Sequence, residues 1–214
     1  MQFNFSSRFV MDAMVSEDGA TLSVITIGQE DGGFRSYLSI YDLNVTLEAG
    51  THYDNEPLSE RSLGNYVALS LHEGLNGILR VAGDNAMTLC PARSEERTLF
   101  DYDQRHLKAF TLSGDGGSVL LLGKYQAGSA ADLLVVNDAG EQTASLSFNE
   151  QVLSLSAAGR YIGVLTADRL DIYTFDLTLY HSLEGTGGAR RVLMRPDGSA
   201  TLIGSETAHL YLPA

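Results

Sequence analysis

The sequence predicts an all-β fold of about five four-stranded repeats. Three observations predict it. A tight turn followed by an apolar strand recurs five times. Period-two alternation marks the segments between these turns, and no segment holds a helical period. Composition completes the case: 214 residues with 22 glycines and only 4 prolines suit a chain whose backbone N–H groups are mostly in ladders.

The clearest copy of the repeat is Leu112-Ser113-Gly114-Asp115-Gly116-Gly117-Ser118-Val119-Leu120-Leu121-Leu122. Asp followed by Gly favours a tight turn, because Gly takes positive φ and Asp caps the turn with its side chain. The apolar run behind it reads as a strand buried on both faces. Variants end in Asp18-Gly19, Glu73-Gly74, Ala158-Gly159 and Asp197-Gly198. The marker glycines 19, 74, 116, 159 and 198 are separated by 55, 42, 43 and 39 residues. Three of these intervals match the roughly 40–45 residues of a four-stranded propeller blade. The longer first interval is assigned to two insertions, a glycine-rich one at 29–33 and a polar one at 49–62.

In order, residues 1–6 alternate Phe3 and Phe5 with polar residues and form a short amphipathic strand. The first repeat follows with strands at 21–27, 37–41 and 46–53 after the approach at 9–15, and 56–65 reads as a polar loop. The second repeat has strands at 66–71, 78–82, 87–90 and 98–102, and the third at 107–112, 119–124, 133–136 and 143–148. The fourth has strands at 152–156, 161–166, 170–175 and 179–183, and the fifth only three, at 191–195, 201–204 and 209–212. No linker composition interrupts the chain, so residues 1–214 are read as a single domain. Two closures fit this count. Either the N-terminal strand completes the last blade, or the chain is an open part of a larger propeller.

The net charge of −13 repels nucleic-acid phosphates and anionic headgroups, which argues against a nucleic-acid or membrane-surface role. No run approaches the roughly 20 apolar residues of a membrane span, and the first residues lack the basic start and apolar core of a signal peptide. Cys90 is the one cysteine and reads as a small apolar strand residue, so no internal disulfide is expected.

The repeats resemble WD40-like and YVTN-like bacterial β-propeller repeats. Arg195-Pro196-Asp197-Gly198-Ser199 looks like their turn, and Leu38-Ser39-Ile40-Tyr41-Asp42 like their third strand. More narrowly, the stretches Ser6 to Ala13 and Arg190 to Gly198 resemble an uncharacterised family of Gram-positive gut-bacterial propellers. That resemblance implies an exported domain, anchored through an N-terminal helix not contained in this sequence, and it implies no activity. A cytoplasmic home remains the other option.

On a propeller, binding groups gather on the loops that share the channel face. Basic residues stand ahead of four inner strands: Arg8, Arg61, Arg105 with His106, and Arg190 with Arg191. Guanidinium groups at a channel mouth would take a carboxylate or phosphate bidentately. Arg8, Arg105, His106, Arg190 and Arg191 are therefore the candidate binding residues; their bland alternative is pairing with the chain's own carboxylates. The loops between second and third strands carry Asp84-Asn85, Asp132, Asp168-Arg169 and Glu206. These are turn formers by preference, and a glycosidase-like acid pair by alternative. His52, His72, His106, His181 and His209 show no metal-ligand spacing, and the Asp-Gly turns lack the alternating ligands of a calcium loop. The glycine-rich run 185–188 lacks the ending of a phosphate loop and reads as a connection between repeats. The expectation is a non-catalytic binding or scaffold domain with no cofactor and no metal, a monomer if the ring closes. Its partner would be a protein or an anionic small molecule, and the alternative is a hydrolase.

Overall fold

The computed structural model describes residues 3, 5, 7–30, 32–44, 56–64, 66–74, 77–91, 97–112 and 117–213. They fold into two compact units, Met1–Thr98 and Leu99–Ala214. Among the described residues the strands form five antiparallel sheets.

The first sheet runs β1 (Phe9–Val15), β2 (Thr21–Glu30), β3 (Gly33–Asp42) and β4 (Ser59–Ser62), in that spatial order. The second holds β5 (Ala68–Glu73), β6 (Leu79–Gly83), β7 (Ala86–Cys90) and β8 (Arg97–Asp101). In the second unit, β9 (His106–Leu112), β10 (Ser118–Gly123), β11 (Ala131–Val136) and β12 (Gln142–Phe148) form one sheet. The next consists of β13 (Ser154–Ala158), β14 (Tyr161–Leu165), β15 (Arg169–Thr174) and β16 (Leu179–Glu184). The last has three strands, β17 (Arg191–Met194), β18 (Ala200–Ile203) and β19 (Ala208–Tyr211).

The apolar runs are the second strands, as the repeat predicts. Every residue of β6, β10 and β14 is buried. Their side chains point to both faces of the sheet, and neighbouring sheets of the same unit share cores. In the second unit Val119, Leu121 and Leu133 meet Ile162 and Val164 in one core, and Leu165, Leu170 and Ile172 meet Val192 and Leu202 in the next. In the first unit Ile25 and Leu38 pack with Leu71 and Val81. Outer strands instead alternate toward water, as β12 and β16 do.

The Asp-Gly turns form as read where they are described. Gly19 and Gly198 take φ of 71° and 84°, and the Asp18 and Asp197 carboxylates accept the amides of Ala20 and Ser199. The turn at Asp115-Gly116 lies outside the described residues.

Two expectations change in this part of the chain, the loop at 56–65 and the strand at 1–6. Residues 29–33 lie in a lengthened hairpin: β2 runs to Glu30 and β3 starts at Gly33, so both strands reach 10 residues. The outer strand expected at 46–53 lies wholly outside the described residues. The fourth strand is Ser59–Ser62, in the run read as a polar loop. Its polarity is that of an edge strand: Glu60 accepts the Ser39 hydroxyl at 2.9 Å, and the residues alternate between half-buried and exposed. Of the N-terminal strand, Phe3 and Phe5 lie outside any strand and pack on the Tyr41 ring, with centroids 4.9 and 6.0 Å away. Residues 1, 2, 4 and 6 of that strand are not described.

The inner strands carry a device that alternation conceals. Register slips by one residue between Val10 and Asp12 in β1, between Ala68 and Ser70 in β5, and at Leu121/Leu122 opposite β9. Met11, Leu69 and Lys108 are the extra residues of these bulges. A bulge re-aims the side chains beside it.

Candidate functional site

The structure places the five candidate binding residues in different surroundings. Arg8, in the first unit, stacks over the Tyr37 ring at 3.6 Å and pairs with Glu60 at 3.0 Å. Its guanidinium is thus engaged by the protein itself. Arg105 is half-buried, and its Nε donates to the Tyr102 carbonyl at 2.9 Å. The preceding Asp103 and Gln104 both have positive φ, 52° and 62°, so a strained turn sets Arg105 at the start of β9. Arg190 and Arg191 are exposed where β17 begins, with the Arg190 amide bound to the Ile203 carbonyl.

His106 is the candidate that lines a cavity. A pocket of about 440 Å³ opens between the start of β9, the β10–β11 loop and the run leading into β13. Its polar lining is His106, Lys108, Gln126, Ser129 and Gln151, over Leu107, Leu121 and Val152. Among the described residues no Asp or Glu is in that lining. Lys108 is the residue the sequence reading missed. Its ammonium donates to the Gly128 carbonyl, which ties β9 to the rim loop. Gly123 makes room for it, since a Cβ there would run into Lys108 Cε. The signal was present as a lone lysine in an apolar inner strand, followed by a glycine closing the apolar run 119–122.

Of the acids expected on the second-to-third-strand loops, Asp132 instead falls within β11, and those whose bonds are seen serve local structure. Asp84 accepts the Val67 amide at 3.2 Å, and Asp132 accepts the Ser147 hydroxyl at 2.6 Å. The Asp168 carbonyl takes the amides of Gly185 and Thr186. Glu206 lines a second cavity, formed by the 183–189 and 204–209 segments. Arg169 bonds to Glu150 and, at 2.8 Å, to Asp171. Asp171 is 5% exposed and also accepts the Ser182 hydroxyl at 2.6 Å. These charge-assisted bonds, the one to Asp171 foremost, hold Arg169 more firmly protonated than an ordinary guanidinium. Tyr173, beside the same carboxylate, is pushed up to about 12 by burial and by the Asp171 charge. A buried carboxylate satisfied this fully is a structural centre of its sheet.

Among the described residues no group of three or more His, Cys, Asp or Glu side chains is placed to hold a metal, and no helix is long and apolar enough to cross a membrane. Cys90 is buried in β7.

No family model matches the chain, and no curated protein matches it in sequence. Solved structures do match its fold. The chain is similar to the extracellular domain of a hybrid two-component system from B. thetaiotaomicron, with a TM-score of 0.55, 15% identity, and coverage of 98% of this chain and 27% of that one. It is similar to a protein of unknown function from Bacteroides caccae, with a TM-score of 0.51, 12% identity, and coverage of 89% and 70%. Hsv2 of Kluyveromyces marxianus, a β-propeller protein, matches with a TM-score of 0.51, 9% identity, and coverage of 95% and 72%. The class defined is therefore an all-β, propeller-like fold. The chain spans about a quarter of the first of these structures and about 70% of the other two.

Proposed function

We propose that this chain is a non-catalytic binding domain that takes a small carboxylate ligand in the cavity at His106 and Lys108. The observation that carries the reading is the sign of that cavity. In a chain of net charge −13, its lining holds an imidazole and an ammonium and, among the described residues, no carboxylate. Its volume of about 440 Å³ lies in the range of small-molecule sites. Gln126, Ser129 and Gln151 supply further donors, and the apolar floor takes the ligand's carbon skeleton. Arg105 and Arg190, on loops of the same unit, and Arg191, the first residue of β17, add positive charge that steers anions.

The five sheets are read as successive blades of a propeller, either closed on itself or an arc of a larger one. An extracytoplasmic home is part of the proposal. It is supported by the likeness to an extracellular domain and by the resemblance of the repeats to exported propellers. The hydrolase alternative gains no support from Asp84 and Asp132, whose carboxylates bond to the Val67 amide and the Ser147 hydroxyl.

The test is calorimetric titration of the purified chain with succinate, repeated with the Lys108→Gln variant. Saturable binding that weakens about tenfold in the variant supports the proposal; a loss of that size is ordinary for one charge-assisted contact. Absence of saturable binding, or equal binding by the variant, overturns it.

A further inference from the structure

The first sheet has an apolar face on which the chain's own N-terminal side chains are seated. We propose that this face is a docking groove for a peptide carrying the pattern aromatic-x-aromatic-x-x-arginine, and that Phe3, Phe5 and Arg8 are its resident, displaceable guest. The opposite face, with Met14, Ile25 and Leu38, packs on the second sheet. Register and alternation place Val24 and Thr26 of β2 together with Tyr37, Ser39 and Tyr41 of β3 on the groove face. All five are buried. On the same face at β1, Val10 and Val15 pair with Thr26 and Leu22 yet stay 48% and 52% exposed. The face is thus covered over β2 and β3 and open along β1.

The guest is seated by three side chains. The Phe3 and Phe5 rings pack on Tyr41 with centroids 4.9 and 6.0 Å away. The Arg8 guanidinium lies 3.6 Å over the Tyr37 ring and pairs with Glu60 at 3.0 Å. Glu60 is the cross-strand partner of Ser39, so one carboxylate stands at the side of the groove. Gly28 leaves room for the arginine stem, since a Cβ there would lie 3.1 Å from Arg8 Cγ. Aromatic rings on aromatic rings, and a guanidinium between an aromatic face and a carboxylate, are the chemistry of the guest.

Phe3 and Phe5 belong to no strand and lie at the chain end. A terminal segment docked by side chains opens at lower cost than a strand in the ladder. While tethered it competes at an effective concentration on the order of millimolar, so the groove is closed to weak competitors. A partner segment of the same pattern that binds more tightly takes its place.

The probe is a fluorescein-labelled peptide with the sequence of residues 1–8, titrated by anisotropy against the full chain and two of its variants. Phe3→Ala/Phe5→Ala is expected to bind the peptide about tenfold or more tightly than the parent, because the resident rings no longer compete. Arg8→Gln removes one partly exposed ion pair and is expected to gain about threefold; it decides the matter if loss of both rings unfolds the sheet. A peptide with alanine at both aromatic positions should bind about tenfold or more weakly. Adding Glu60→Gln to Arg8→Gln should weaken the arginine peptide about threefold and leave a peptide ending in glutamine within about twofold, a coupling that places the arginine at Glu60. Four results would overturn the assignment: no saturable binding by any of the chains, equal affinity of the parent and Arg8→Gln, equal binding of the alanine peptide, or the same response of both peptides to Glu60→Gln. No residue of the His106 cavity takes part, so this proposal and the succinate reading stand or fall separately.

Discussion

The carboxylate of Asp12, on β1, accepts the backbone amide of Leu71, on β5, at 2.8 Å. The same oxygen accepts the Ser70 hydroxyl at 3.1 Å. Asp12 adjoins the β1 bulge, and Ser70 adjoins that of β5. One side chain thereby joins the inner strands of two sheets in the first unit. The second unit does the same with hydroxyls: Ser154 and Ser156 on β13 accept the amides of Val192 and Met194 on β17. Packing between sheets is non-directional, and these bonds fix the register at which neighbouring sheets meet.

Asp12→Ala removes the acceptor and leaves the amide of Leu71, a residue 3% exposed, without a partner. The expected cost is about 1–3 kcal/mol, because an unpaired buried amide forfeits its desolvation energy as well as the bond. Asp12→Asn keeps an acceptor oxygen and should cost less. Urea unfolding checks both: the midpoint should fall at unchanged slope, in the order alanine below asparagine below the parent. Equal midpoints for all three would remove the tie from the account.

Stability should also respond to mild acid through His72. Burial pushes its imidazole below the ordinary value of 6.5, and the nearby Asp12 charge opposes this only in part. Its Nε2 lies 3.0 Å from the Ser70 hydroxyl, and Arg80 faces it across the β5–β6 pair. With the folded pKa depressed, the unfolded chain takes up the proton first as pH falls through 6.5. Stability is therefore lost between 6.5 and the lowered folded value, and no further below it. His72→Gln should flatten this window in thermal scans. Asp18, Asp176 and Asp197 act in a lower window, because hydroxyl and amide donors in their turns depress their pKa values. Their contribution is present above the ordinary carboxylate range and is lost as pH falls below it, so it should survive His72→Gln unchanged.

Closure of the proposed ring has its own readout. A compact monomer of this length has a radius of gyration of about 17 Å. Small-angle scattering at that value, with a monomer mass by light scattering, is the expected result for five closed blades. A markedly larger radius or a dimer would favour the open arc.

The fold was legible because burial on both faces leaves an unbroken apolar run, as in Val119 to Leu122, and a turn leaves Asp-Gly. Both marks are local. Ser59–Ser62 was read as a loop because an outer strand has little apolar surface to hide, and its strand character comes from pairing with Tyr37 to Ile40. The candidate site was legible only at His106. Alternation places side chains by counting in twos, and the bulge in β9 breaks the count at Lys108. Arg8 was correctly read as a loop cation, but its pairing with Glu60 depends on β4, an element the reading did not contain.

Gly123 links fold to site and gives the last test. Its side of β10 is where Lys108 lies, and an added methyl would meet Lys108 Cε. Its φ is not in the left-handed region, so Gly123→Ala acts through this collision and not through backbone strain. Because the atoms met are the far end of a flexible side chain, the expected stability cost is small, under about 1 kcal/mol, while succinate affinity falls about as far as in Lys108→Gln because the ammonium is displaced. The double variant Gly123→Ala/Lys108→Ala separates the causes. If the collision is the cause, the glycine substitution becomes nearly neutral once the lysine is shortened, a coupling that a double-mutant cycle measures directly. If Gly123→Ala costs the same in both backgrounds, Lys108 is not held by that glycine, and the cavity owes its positive charge to some other arrangement of β9.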